Sequence, residues 1–235
     1  MVEIRRLEAA EARAHVTALA EVLVDCVEGG ASVSFMAPFS RDEAEAFFET
    51  AIDGVERGER ILLAAFDNDE LVGTAQIVAA APPNQPHRAD VAKLLVRRSA
   101  RGRGVAMRLM LHVELESRLA QKTLLVLDTV TGSDAERLYL RLGWQKVGVI
   151  PNYALFPDGR PCATTVFYKQ LDLLGRLRER RRRSRTPGGF GPVHLAISLL
   201  PRLLQPRRRH VRRQPHRSRD SRFVQRGLQA VRQAV

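Results

Sequence analysis

The densest potential for chemistry in the 235-residue chain lies in Leu94-Leu95-Val96-Arg97-Arg98-Ser99-Ala100-Arg101-Gly102-Arg103-Gly104-Val105-Ala106. A strand-like apolar run leads into a basic, glycine-bearing turn, and helical spacing begins at Val105. Glycine lets backbone N–H groups approach an anion with no Cβ in the way. A helix start adds unpaired donors and the positive end of a dipole. Together these features suit a pyrophosphate, and Arg101 and Arg103 add charge that could meet a 3′-phosphate. No Gly-Lys-Ser/Thr follows, which excludes a Walker loop, and the missing GxGxxG excludes a dinucleotide fingerprint. Asp128 is the second notable residue, a charge near the end of the otherwise apolar run Thr123–Val130. It reads either as a substrate-side carboxylate or as a strand-end residue that caps a turn or meets an arginine. His87 and Asp90 are lesser candidates on the neighbouring strand.

These residues need elements to position them. Val2–Leu7 reads as a first strand. A helix follows from Glu8, with Val16, Leu19, Leu23 and Val27 at helical spacing, and Gly29-Gly30 stops it. Ser40 with Glu43 forms a capping box for a second helix to Arg57. Ile61–Phe66 and Leu71–Ala81, joined by Asp67-Asn68-Asp69-Glu70, signal a β-hairpin. Pro82–Pro86 is a loop by composition, and Ala89–Val96 is a strand with Val91, Leu94 and Val96 as apolar members. Then come a helix over Val105–Leu119, a buried strand over Thr123–Val130, and a helix over Ser133–Leu142 with a second capping box, Ser133 with Glu136. Trp144–Ile150 and Thr164–Tyr168 are the last strands. The order β-α-α-β-β-β-α-β-α-β-β implies an α/β fold, a mixed sheet of about seven strands with helices on both faces.

Arg101, Gly104 and Ala106 fit the pattern Q/R-x-x-G-x-G/A, which resembles motif A of the GNAT superfamily of N-acetyltransferases. Ala135, Tyr139, Gly143 and Trp144 resemble the family's downstream A-x-x-x-Y-x-x-x-G-[FYW] segment. The resemblance covers residues 1–172. Within the superfamily, His87–Val96, Thr123–Thr129 and Ile150–Ala154 are similar to the tabtoxin resistance protein group. The resemblance implies a GNAT fold with a mostly antiparallel sheet, acetyl-CoA as co-substrate, no metal, and direct transfer in a ternary complex. Acetyl-CoA would lie between the strands ending at Val96 and near Asp128. Backbone groups of Leu94 and Val96 would pair with its pantetheine arm, and an N–H near Leu95 would polarise the thioester carbonyl. The Arg101–Ala106 turn, with Gly102, Arg103 and Val105, would hold the phosphates. Tyr139 would protonate the departing thiolate, or else be a core tyrosine. Asp128 would orient the substrate ammonium. Trp144 reads as core, and substrate contact at Tyr153 rests on analogy. Where the family often carries Asn, seven residues before the tyrosine, this chain has Gly132, so one side-chain contact to the cofactor is lost.

The net charge of +12 would ordinarily suggest a polyanionic partner. Its distribution removes that argument from the folding part. Residues 176–235 hold 18 arginines against Glu179 and Asp220, leaving residues 1–175 slightly acidic. Residues 173–235 are therefore expected to be a disordered basic tail. The tail could bind nucleic acid or an anionic surface by charge alone, or be an extension without selected function. Cys26 and Cys162 form no metal-ligand pattern and fit a reducing cytoplasm, and the N-terminus has no signal-peptide core. The apolar stretch Val193–Leu204 is too short to span a bilayer. Three functions compete: acetylation of a small primary amine such as a toxin, antibiotic or amino acid; acetylation of a protein N-terminus or lysine; and acetyl-CoA sensing by a nucleic-acid-binding protein. Dimerisation is common in the superfamily, but no interface pattern stands out here.

Overall fold

A computed structural model describes residues 2–172; the basic tail expected to be disordered lies outside the described residues. The chain runs β1 (Glu3–Leu7), α1 (Ala9–Ala14), α2 (Val16–Glu28), α3 (Arg41–Glu56), β2 (Arg60–Asp67), β3 (Glu70–Ala79), β4 (Arg88–Val96), α4 (Val105–Leu119), β5 (Leu124–Val130), α5 (Asp134–Arg141), β6 (Gln145–Leu155) and β7 (Pro161–Gln170). The seven strands form one sheet in the order β1-β2-β3-β4-β5-β7-β6. Every neighbouring pair is antiparallel except β4 and β5. Among the described residues, no helix is long and apolar enough to cross a membrane.

Two apolar layers hold the helices to the sheet. On one face Leu19, Leu23, Phe48 and Ile52 of α2 and α3 pack with Leu62, Ala64 and Leu95. On the other, Leu109, Met110 and Val113 of α4 and Leu138 of α5 pack with Leu63, Ile77, Val91 and Leu125. Alternation along each strand feeds both layers.

Local signals set most element ends. Ser40 and Glu43 form the reciprocal capping box that starts α3. Asn68 and Asp69, both at positive φ, make the β2–β3 turn that matches strand twist. Three details depart from the sequence reading. The first helix is divided at His15, whose ring packs edge-on against Phe66 at 5.2 Å. Ser133 caps α5 by accepting from Glu136 N, but the Glu136 carboxylate accepts from Gly132 N, one residue before the cap, so the box is not reciprocal. The last two strands are longer than their apolar cores, because they extend to a hairpin turn at Phe156–Arg160.

The feature that shapes the site is a bulge in β4. Leu95 pairs with Thr74 and Ala92 with Gln76, so Lys93 and Leu94 together stand opposite Ala75. Lys93 takes a left-handed φ of 50° to do this. The extra residue reverses the alternation. Ala89 and Val91 face the α4 layer, Leu94 and Val96 return to it, and Leu95 joins the α2–α3 layer. β4 and β5 pair only over Arg88–Asp90 and Leu124–Val126. Beyond Asp90 no strand pairing joins them, and each presents an open edge to the gap.

Candidate active site

The gap between β4 and β5 gathers most of the chemistry-bearing residues. On β4, the Leu95 carbonyl faces β3, since a Cβ built on Gly73 would lie 2.8 Å from it. Along an extended strand, adjacent residues direct their backbone groups to opposite edges. Leu94 and Val96 therefore turn theirs toward the gap. Consistent with this, the Val96 carbonyl receives side chains from outside the sheet. Arg101 Nε donates to it at 3.2 Å and Cys26 Sγ at 3.5 Å.

At the end of β4 a short 3-10 turn, Arg98–Ala100, leads into the glycine turn. Gly102 and Gly104 have φ of 76° and 78°, which an L side chain tolerates poorly. Gly104 is the N-cap of α4, and no side chain caps that helix. A Cβ on Gly102 would meet no atom within 4 Å, and one on Gly104 would only just reach Met107. The turn thus leaves open space in front of a helix N-terminus with uncapped N–H donors, which suits a phosphate group. Val105 is fully buried and Ala106 partly buried against the core, so they offer backbone and not side chain. The two arginines expected to add charge already have partners: Arg101 also reaches Cys26 Sγ at 3.8 Å, and Arg103 pairs with Asp67 at 2.6 Å. Either must exchange that partner to hold a phosphate.

Tyr139 sits on α5 with its ring buried between Trp144 and Phe167, both at 5.9 Å between centroids. Among the described residues its hydroxyl makes no hydrogen bond. Burial, with a contribution from the negative charge of Asp128, pushes the phenol well above its ordinary pKa. It therefore stays protonated, a donor that lacks an acceptor. Trp144 is core, as its type and position suggested.

Asp128 lies on β5 opposite Val166 of β7, with its side chain accessible. Protein around its carboxyl strips enough hydration to raise its pKa, opposed by Lys93 and assisted by Asp90. Asp90 is tied to Arg88 at 2.6 Å, and burial raises its pKa as well. His87 contributes backbone: its carbonyl accepts from Thr123 N and Leu124 N and holds the start of β5 to β4. Gly132, at φ 79°, donates its N–H to the Glu136 carboxylate and its carbonyl accepts from the Arg137 guanidinium, so it closes the turn before α5. Tyr153 is exposed within β6, at a register irregularity between Ile150 and Ala154, and not in a loop.

Sequence reasoning passed over Lys93 and the aromatic loop beside it. Lys93 Nζ donates to Ser34 Oγ at 3.2 Å and lies 5.5 Å and 5.4 Å from the ring centres of Phe35 and Phe47. The loop that carries Ser34 is fixed to the β6–β7 hairpin, where Ser32 Oγ donates to the Leu155 carbonyl at 2.7 Å and Ala37 N to that of Pro157 at 3.0 Å.

The sequence of residues 24–144 matches the acetyltransferase (GNAT) family. Solved structures share the fold. An N-acetyltransferase from Staphylococcus aureus Mu50 is 20% identical with a TM-score of 0.62, over 73% of this chain and 99% of that one. The protein yncA from Salmonella typhimurium, assigned as an acetyltransferase and solved with its cofactor acetyl-CoA, is 20% identical with a TM-score of 0.61, over 73% and 95%. A protein assigned as a phosphinothricin N-acetyltransferase is 16% identical with a TM-score of 0.61, over 73% and 99%. The family match spans the β4–turn–α4 unit, the open-edged gap and Tyr139, and the chain belongs to the GNAT family of acetyltransferases.

Proposed function

We propose that this protein transfers the acetyl group of acetyl-CoA to the primary amine of a small molecule. The observation that carries the reading is the unpaired edge of β4 beyond Asp90, with the glycine turn at its end, Asp128 on the facing strand and Tyr139 within range of the Asp128 charge. The N–H groups of Gly102 through Ala106 would hold the pyrophosphate. Backbone groups of Leu94 and Val96 would pair with the pantetheine arm, and an N–H in the stretch around Leu95 would polarise the thioester carbonyl. The parity of the strand favours Leu94 or Val96 as that donor. The bound co-substrate supplies the activated acyl carbon.

The acceptor amine must be neutral to attack. Asp128 would orient its ammonium form and take up the proton directly or through water. As the new C–N bond forms and the C–S bond breaks, Tyr139 would give its proton to the sulfur, and solvent would return one to the phenolate. The raised pKa keeps Tyr139 in its donor form at neutral pH. The likeness to a phosphinothricin N-acetyltransferase and to the tabtoxin resistance group supports a small amino-acid-like acceptor, as in detoxification.

The test is release of free CoA from acetyl-CoA by the full chain, with small primary amines and basic peptides offered in parallel. Turnover with small amines is the expected result. Turnover with peptides alone would replace this reading with protein acetylation.

A further inference from the structure

Lys93 is an ammonium group that the fold goes to unusual lengths to place. It occupies the left-handed region without being Gly, Asn or Asp, as does Ser34, whose hydroxyl it bonds. Residues with a Cβ rarely settle there, because the Cβ crowds the backbone carbonyl. The bulge throws Lys93 onto the α2–α3 side of the sheet, among Phe35 and Phe47 and near Arg60 of β2. Arg60 itself donates to Gln76 Oε1 at 2.7 Å. Of the three donors on an ammonium, one is used by Ser34, and two rings give partial compensation. No carboxylate among the described residues lies within ion-pair distance of Lys93. Asp128, on the far strand of the gap, acts on it only through space. A partly buried cation with spare donors and no anion is a site for an anionic group.

We infer that Lys93 is a specificity-determining residue that binds a carboxylate on the acceptor, while Asp128 holds the acceptor's amine. The acceptor is then a carboxylate-bearing primary amine, and a polyamine or an amino ester would leave Lys93 unpaired. Phe35 and Phe47 form an apolar wall beside the carboxylate. This inference rests on the reading of the gap as an acetyl-transfer site.

The experiment compares kcat/KM of the full chain for α-amino acids and for the methyl ester of each, in the wild type, Lys93→Met and Lys93→Arg. The wild type should prefer the acid by about tenfold or more, the scale of a hydrogen bond to a charged group. Lys93→Met should reduce that acid-to-ester ratio by about tenfold, mainly through KM, and Lys93→Arg should retain most of it. Thermal stabilisation by acetyl-CoA confirms that each variant is folded. An acid-to-ester ratio that is the same in wild type and Lys93→Met overturns the inference while transfer stands. So does a wild type that prefers esters. Absence of CoA release with every amine removes the transfer reading, and this inference with it.

Discussion

Lys93 and Asp128 stand on the two strands that part, and each biases the ionisation of the other without forming an ion pair. The bulge that turns Lys93 out of the α4 layer lies just beyond the last β4–β5 pair, at Asp90 and Val126. One backbone irregularity thus does two things: it coincides with the opening of the sheet and sets a cation opposite the carboxylate at its mouth.

Lys93 should also limit stability. Loss of hydration lowers its pKa from 10.5 to about 8, with the Arg60 charge adding to the effect and Asp128 opposing it. Between those values the unfolded chain binds more protons than the native one, so stability rises with pH in that window. Lys93→Met should therefore melt above the wild type at about pH 7, by about 2–4 °C for each kcal/mol recovered. The difference should shrink as pH rises from about 8 toward 10.5. A lower melting temperature for Lys93→Met at neutral pH would contradict the burial argument.

Asp128 should govern the acid side of the pH–rate profile. Its carboxyl titrates above the ordinary aspartate value of 3.8, chiefly because it is desolvated. Activity that requires the ionised form should rise with pH through that raised value. Asp128→Asn should lose at least about tenfold in kcat/KM and no longer show that limb. A profile with the limb intact in Asp128→Asn would assign the titration to another group, with Asp90 the nearest alternative by charge.

Gly104→Ala separates the turn's two roles. The left-handed φ of 78° should cost about 1–2 kcal/mol of stability whatever the turn binds. The added Cβ stands in open space in front of α4, where the phosphates would lie, so acetyl-CoA affinity should fall by about tenfold, or about 1.4 kcal/mol. Calorimetric titration with acetyl-CoA checks this. Lower stability with unchanged affinity would make the turn structural only.

Elements fixed by near neighbours were legible in the sequence: the Ser40–Glu43 box, the Asn68-Asp69 turn and the strand–glycine turn–helix unit all depend on residues a few positions apart. The bulge had a signal too. Val91 and Leu94 are three apart where alternation requires two, and that odd step is the bulge. The partners of Arg101 and Arg103, Cys26 and Asp67, come from distant segments and leave no local trace. Phe35 sits in an aperiodic loop whose position is set by the β6–β7 hairpin, so its meeting with Lys93 is a product of tertiary packing alone.

The most direct test of acetyl transfer in this gap is the rate of CoA release by Tyr139→Phe with the best amine, beside its affinity for acetyl-CoA. The Tyr139 hydroxyl bonds no described residue and its ring packs on Trp144 and Phe167, so phenylalanine should preserve the fold and the cofactor affinity. CoA release should slow by about 10²–10⁴-fold, with acetyl-CoA bound as tightly as in the wild type. Release at the wild-type rate would contradict this reading of the gap.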